Sequence, residues 1–353
     1  MPFKRNQTKP VSIGGLTLGG NDEIIVQSMC NIKTSCVEEV SKQINEAASF
    51  GAKIMRLSVL DFHDASAIRE IKKKVSIPLV ADIHMDYRLA LASLESGVDA
   101  IRINPGNIGD EKRIEEVLRE ALKRHVPIRI GVNGGSIDKA LLKEKGSLSR
   151  SALLFESAKK HIGILNKYGF DDIVLSLKGS DALETMEAYR LAAQSFPYPL
   201  HLGVTEAGPK DVSLIRSTIA LAPLLMEGIG NTIRISLTED PIEEVKAANR
   251  LLLDLGLKKD WPRFISCPTC GRTEVRLLPL AKKVLQYLEE HRINKTVAIM
   301  GCAVNGPGEA KQADIGLAGA KDCFVLFKKG KAIKTLPQDI AFETLIEELK
   351  NLY

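Results

Sequence analysis

The chain has 353 residues, 44% apolar and 26% charged, with a net charge of +5, which exceeds a single ordinary core and leads us to expect two domains of a soluble protein. No apolar run approaches a membrane span, and the basic N-terminal segment lacks an apolar signal core. Few aromatics (one Trp, six Tyr, ten Phe) and no basic cluster interleaved with them argue against a nucleic-acid surface, so a cytoplasmic protein with no nucleic-acid or membrane partner is expected.

From about residue 24 to 256 the pattern alternates β-branched runs with helical runs. Strands are expected at Ile24–Met29, Lys53–Val59, Leu79–Ile83, Ala100–Asn104, Ile128–Asn133, Asp172–Lys178, Leu200–Thr205 and Thr232–Leu237. The helix expected at Glu111–His125 shows the periodicity: Ile114, Val117, Leu118, Ala121 and Leu122 recur at helical spacing. Gly or Pro punctuates most boundaries, among them Gly51, Pro78, Gly97, Pro127, Gly169, Pro199 and Gly230. Eight strand–helix units over roughly 250 residues predict a TIM (β/α)8 barrel. An open doubly wound sheet is the alternative, but no dinucleotide glycine fingerprint follows the first strand. After Gly256 the segment Lys-Lys-Asp-Trp-Pro-Arg reads as a linker. Beyond it come a helix at Arg276–His291, a strand at Thr296–Met300, short strands near Ile315–Leu317, Cys323–Phe327 and Ala332–Leu336, and a helix at Asp339–Leu352. The expected division is a barrel over 1–258 and a small α+β domain over 259–353.

In a barrel, side chains of one parity point inward, and those at the strand C-terminal ends line the site. Polar residues share such a parity: Arg56 with Ser58, Asp82 with His84, Arg102 with Asn104, Arg129 with Asn133, Ser176 with Lys178, and Arg234 with Ser236. Glu206 follows the seventh strand. Burying so many charges is unfavourable by several kcal/mol each unless they are paired or face a wet mouth. Arginine–carboxylate layers can simply fill a barrel, but five cations from five strands point to an anionic ligand, a diphosphate above all.

In the second domain Cys267-Pro-Thr-Cys270 is followed by Gly301-Cys302-Ala-Val-Asn-Gly-Pro-Gly-Glu309. Thiolates select zinc, copper(I) or iron–sulfur clusters. Structural zinc closes with four Cys or His ligands; here there are three thiols and one carboxylate, which suits a cluster with one exchangeable position. Two readings stay open: zinc with His291 as fourth ligand, and a redox dithiol at Cys267 and Cys270. Cys323 reads as packing, and Cys30 and Cys36 as non-ligands.

The whole chain resembles the 4-hydroxy-3-methylbut-2-enyl diphosphate synthase family, in its compact bacterial form. The resemblance rests on Val26-Gln-Ser-Met29, Ile101-Arg-Ile-Asn-Pro-Gly-Asn107, Arg129-Ile-Gly-Val-Asn133, Leu175-Ser-Leu-Lys178, His201-Leu-Gly-Val-Thr-Glu-Ala-Gly208, Gly228-Ile-Gly-Asn-Thr-Ile-Arg234, Cys267-Pro-Thr-Cys-Gly-Arg272 and the Gly301–Glu309 loop. It implies an iron–sulfur oxidoreductase of the non-mevalonate isoprenoid pathway that reductively opens 2-C-methyl-D-erythritol 2,4-cyclodiphosphate. It further implies a [4Fe-4S] cluster on Cys267, Cys270, Cys302 and Glu309, with Glu309 releasing its iron to substrate. Arg56, Arg102, Asn104, Arg129, Asn133, Lys178, Arg234 and Ser236 would hold the diphosphate, and Glu206 would transfer a proton. Reduced flavodoxin or ferredoxin as electron donor and a homodimer are implied too. The chain departs from the family's usual pattern at Cys30–Lys33 and at Asn231, which stands where an Asp is common.

Overall fold

The computed structural model describes residues 3–108, 110–137, 139–302 and 310–352. The chain divides into two compact units, Met1–Leu257 and Lys258–Tyr353. The first opens with an antiparallel hairpin, β1 (Val11–Ile13) and β2 (Leu16–Leu18). Its turn residues Gly14 and Gly15 have φ of +53° and +87°, the left-handed pair that a two-residue hairpin with matched twist requires. Three-residue strands carry no readable period, so sequence patterning does not find this hairpin.

Eight parallel strands follow: β3 (Ile25–Met29), β4 (Ile54–Val59), β5 (Leu79–Ile83), β6 (Ala100–Ile103), β7 (Ile128–Asn133), β8 (Ile173–Lys178), β9 (His201–Leu202) and β10 (Thr232–Ile233). They form one sheet in the order β8-β7-β6-β5-β4-β3-β10-β9. A parallel bridge between Leu175 and Leu200, with Leu175 N donating to Pro199 O (2.9 Å), all but closes the ring. The fold is the expected TIM barrel. The last two strands are shorter than expected because the backbone beyond them finds other partners. Thr205 N donates to Gly179 O (3.1 Å), and Leu237 N donates to the Glu244 carboxylate (3.0 Å).

The surrounding helices are α1 (Val37–Ser49), α2 (Phe62–Lys74), α3 (Tyr87–Glu95), α4 (Glu111–Arg124), α5 (Lys139–Lys145), α6 (Arg150–Lys167), α7 (Ala182–Ser195), α8 (Lys210–Met226) and α9 (Pro241–Asp254), with the short α5 added before α6. Asp61, Asp86, Asp110, Ser149, Asp181 and Asp240 each accept a first-turn backbone N–H. Each satisfies a donor the helix leaves unpaired and fixes where its βα loop ends. On α4, Ile114, Val117, Leu118 and Ala121 are buried, but Leu122 is 41% exposed. At 100° per residue it falls at the edge of the apolar stripe.

The barrel interior changes character along its axis. At the bottom, Val11, Ile13 and Leu18 of the hairpin pack with Ile25, Ile54, Val80, Ala100 and Val174, the inward residues near the strand starts. The hairpin therefore plugs that end with apolar surface and leaves polarity to the other. Residues of opposite parity, including Ile101, Ile103, Ile128, Ile130 and Ile233, are buried on the outward face.

The second unit is a five-stranded sheet in the order β11 (Arg263–Ser266), β12 (Thr296–Met300), β13 (Ile315–Ala320), β14 (Cys323–Lys328) and β15 (Lys331–Pro337); β11, β12 and β13 are parallel and the rest antiparallel. The helices α10 (Leu277–Glu290) and α11 (Ala341–Lys350) contribute Leu277, Val284, Leu288, Leu345 and Leu349 to a core shared with Val297, Ile299, Leu317 and Leu326 of the sheet. The segment expected as a linker is exposed at Lys259 and Asp260 but not throughout. Trp261 and Pro262 are buried, and Asp260 pairs with Lys258 (2.9 Å) and Arg292 (3.5 Å).

Candidate functional site

The top of the barrel encloses a cavity of about 310 Å³ lined by Arg56, Asp82, His84, Arg102, Asn133, Ser176, Lys178, Val204, Thr205, Glu206, Arg234 and Ser236. Strand alternation delivers these side chains inward from the C-terminal strand ends. Asp82 organises one side. Its Oδ1 accepts from Arg102 Nη1 (3.1 Å), its Oδ2 lies 3.5 Å from Arg56 Nε, and His84 Nε2 is 3.1 Å from Arg102 Nη1. Burial alone would raise the Asp82 pKa, but Arg56, with His84 and Arg102, outweighs it and holds the carboxyl well below the usual range. Asp82 is therefore an anion at neutral pH.

Glu244, in the first turn of α9 and 2% exposed, organises the other side. It accepts from Arg234 Nε and Nη2 (2.9 Å each), from Ser28 Oγ (2.6 Å) and from Leu237 N (3.0 Å). Met29 Sδ bridges the two halves, 3.0 and 2.8 Å from Arg56 Nε and Nη2 and 3.5 Å from Arg234 Nη1.

Lys178 differs from these arginines: among the described residues it forms no ion pair. Burial, followed by repulsion from Arg56, Arg234, Arg129 and Arg102, pushes its pKa well below 10.5. Burial likewise lowers Arg56 to about 10, against the pull of Asp82. Two glycines make the crowding possible. A Cβ on Gly131 would lie 2.2 Å from Arg102 Nε, and one on Gly203 would lie 2.7 Å from Lys178 Nζ. Both cations lie close against the bare backbone of these glycines.

Of the expected ligand-binding residues, Arg56, Arg102, Asn133, Lys178, Arg234 and Ser236 meet in the cavity, with Glu206. Glu206 is exposed and has φ +52°, a left-handed conformation that a non-glycine residue holds only where its surroundings enforce it. Arg129 and Asn104 are placed elsewhere. Arg129 sits one layer deeper: Nη1 donates to Gln27 Oε1, and Nη2 is buried without a partner. It lines a smaller pocket with Ile54, Val80 and Val174. Asn104 is buried, and its Oδ1 accepts from Gly106 N (3.1 Å), shaping the loop after β6. Sequence reasoning missed the roles of Met29 and Glu244. A Glu in the first turn of a helix reads as a favourable dipole partner, and only the fold reveals that this one is buried on an arginine.

In the second unit, Cys267 follows β11 and Cys302 follows β12. The two strands are parallel neighbours, so both thiols lie at one end of the sheet. Cys267 Sγ accepts from Gly301 N (3.1 Å). The Cys270 turn is tied to the same strand end through Glu274 N, which donates to Gly301 O (3.1 Å). The backbone N–H of Arg272 outweighs burial and, with the Arg272 side chain and Thr273, lowers the Cys270 pKa, favouring thiolate. Glu309 lies outside the described residues. Among the described residues no three His, Cys, Asp or Glu side chains converge as a metal site. The chemistry of the donors, three soft thiols at adjoining chain segments, suits a thiophilic metal centre.

Both alternatives for the cysteines fare worse. His291 caps the far end of α10, stacked on Tyr287 with ring centroids 4.0 Å apart; at 1.5 Å per residue that is about 20 Å along the helix from its start. It cannot complete a zinc site with Cys267 and Cys270. A redox dithiol sits at a helix N-terminus, but Cys270 enters a turn and α10 begins only at Leu277. Cys30 is buried, and burial, against Arg234, pushes its thiol up to about 12.

Where this chain departs from the usual pattern of the family it resembles, it is well bonded. Gln43 Nε2 donates to Asn31 Oδ1 (2.7 Å), and Thr34 Oγ1 donates to Ser58 O (2.6 Å). Asn231 accepts from Leu200 N (3.0 Å) and donates to Thr8 Oγ1 (3.2 Å), using both ends of its amide below β10.

A model of the GcpE TIM-barrel domain matches residues 8–249, and one of the GcpE protein C-terminal domain matches 263–351. The chain is 48% identical over 346 residues to the 4-hydroxy-3-methylbut-2-en-1-yl diphosphate synthase (flavodoxin) of Bacillus subtilis, covering 98% of this chain and 90% of that one. It is 49% identical to the enzyme of the same name from Geobacillus thermodenitrificans, covering 98% and 91%. Among solved structures, dihydropteroate synthase from Stenotrophomonas maltophilia aligns with a TM-score of 0.51 at 14% identity, over 71% of this chain and 98% of that one; this likeness concerns fold alone. With family models matching both units and relatives aligned across nearly its whole length, the chain belongs to the GcpE family.

Proposed function

We propose that this protein is a cytoplasmic 4-hydroxy-3-methylbut-2-enyl diphosphate synthase. It takes up 2-C-methyl-D-erythritol 2,4-cyclodiphosphate, two electrons and protons, and releases water and the linear diphosphate. One observation carries the reading: in a chain nearly half identical to such synthases, Arg56, Arg102, Lys178 and Arg234 face one cavity whose buried lining carboxylate is Asp82. Guanidinium forks suit diphosphate oxygens, and the ammonium of Lys178, lacking a carboxylate, is the cation most in need of an anion. Asn133 and Ser236 add neutral donors, and Arg129 and Asn104 support the shell from below and beside. The barrel unit thus binds and orients the substrate, with Glu206 at the rim to move a proton.

Cys267, Cys270 and Cys302, with Glu309, would hold a [4Fe-4S] cluster, which would supply single electrons for the reduction. A flavodoxin, named as donor for the relatives, is the preferred reductant, with ferredoxin second. Lys258–Tyr353 carries 16 Lys and Arg against 11 Asp and Glu, a charge balance that favours an acidic redox partner there.

A homodimer goes with this reading. On α8, Val212, Ile215, Ile219 and Met226 are 43%, 64%, 48% and 50% exposed, and at 100° per residue they form one narrow apolar stripe. Ile215→Asp is expected to convert a dimer to a monomer in light scattering; a dimer unchanged by it removes α8 as the interface.

The function is tested anaerobically. The protein should contain about four iron and four sulfide per chain and turn over the cyclic diphosphate with reduced flavodoxin. Stoichiometric zinc, no sulfide after reconstitution and no turnover would overturn the reading.

A further inference from the structure

We infer that Glu244 is a positioning residue for ligand binding, one that acts through Arg234 and the Ser236 loop without touching the ligand. The inference rests on the reading of the barrel cavity as the diphosphate site. Glu244 is 2% exposed and is not among the residues that line the cavity, whereas Arg234 and Ser236 are. Its two oxygens take four donors. Oε2 receives Ser28 Oγ (2.6 Å) and Arg234 Nε (2.9 Å); Oε1 receives Arg234 Nη2 (2.9 Å) and Leu237 N (3.0 Å).

Each bond has a positional consequence. The side-on grip on Nε and Nη2 fixes the guanidinium plane, a fork geometry that a single contact could not fix. It leaves Nη1, whose nearest recorded contact is the long one to Met29 Sδ (3.5 Å), as the nitrogen free to meet an anion. The bond from Leu237 N holds the backbone next to Ser236. Ser28 Oγ ties the carboxylate to β3 (2.6 Å). One buried carboxylate on α9 therefore sets two cavity residues and links them to β3.

Glu244→Gln retains the shape but replaces one acceptor oxygen with a donor facing other donors. Wild type should turn over the cyclic diphosphate. E244Q should raise KM by about tenfold or more while kcat stays within about threefold and the visible spectrum is unchanged. A double-mutant cycle separates positioning from bulk structure. If Glu244 acts through Arg234, adding E244Q to Arg234→Ala should change KM by less than about threefold. A KM for E244Q equal to wild type, or losses that multiply in the double variant, would overturn the inference. Should E244Q not fold, Ser28→Ala keeps the carboxylate but removes one of its four donors, the one that ties it to β3. A KM rise of about threefold with kcat retained then supports the inference, and an unchanged KM overturns it. If wild type neither binds nor turns over the cyclic diphosphate, the reading of the cavity itself has failed, an outcome distinct from these.

Discussion

Cys270→Ala is expected to give a folded protein that still binds the cyclic diphosphate but has lost its iron and its turnover. Cys270 is exposed, so truncating it opens no cavity, and measured against iron-free wild type its stability should change by no more than about 0.5 kcal/mol. The barrel cations belong to the other compact unit and keep their partners. The loss falls on metal affinity. Removing a mere supporting group of a metal site costs about 10- to 100-fold in affinity or activity, and removing a ligand should exceed that. Cys36→Ala is the matched control: its thiol is also exposed, but it precedes α1 in the barrel unit. Iron and sulfide content, thermal unfolding and calorimetric titration would be measured on all three proteins. Full iron content and wild-type turnover in C270A would exclude this thiol as a ligand and sink the proposed cysteine set.

The barrel was legible because its signal is repetitive. Ile101-Arg-Ile and Leu175-Ser-Leu-Lys show their parity in three or four residues, and eight such runs reinforce one another. The same parity exposed most of the cavity: Arg56, Arg102, Lys178 and Arg234 all meet there. What parity cannot give is depth. Arg129 shares the inward face with Asn133 but enters four residues earlier on β7, and so lands beside Gln27 below the cavity. Nor can parity on strands report what the helices send inward. Glu244 and Glu243 are neighbours in α9, yet one is buried on Arg234 while the other pairs with Lys210 and Lys246. The hairpin at Val11–Leu18 was invisible for want of length, although its apolar residues form the barrel floor. The burial of Trp261 was not legible: Lys-Lys-Asp and Pro mark the segment as a linker, yet the large apolar side chain among them is buried.

Lys178→Met should make the empty protein more stable and its ligand affinity much weaker. In the folded chain Lys178 is 7% exposed, surrounded by arginines and, among the described residues, in no ion pair. Replacing such a buried charge with an apolar side chain of similar length is expected to stabilise by about 1 kcal/mol or more. Binding should respond oppositely. A charged hydrogen bond to a phosphate oxygen contributes about 1.5–3 kcal/mol, so affinity should fall by roughly 10- to 150-fold. The pH dependence carries the same sign argument. Because burial and the arginines lower the Lys178 pKa below 10.5 in the folded state, the unfolded chain holds more protons between the depressed value and 10.5. Stability from this group therefore rises with pH through that window, and K178M should flatten the rise. A bound dianion favours the ammonium, so binding should take up a proton, and affinity should fall as pH climbs through the depressed pKa. Titration calorimetry in buffers of different ionisation enthalpy reads that proton directly. A K178M protein that is less stable than wild type and still takes up the proton would show that Lys178 is neither the strained cation nor the titrating one. Gly203→Ala probes the same group from its other side, since the new Cβ would fall 2.7 Å from Nζ. That Cβ would also fall 2.9 Å from the Arg234 backbone oxygen, so affinity should drop there too, with the charge retained, through displacement of Lys178 and Arg234 together.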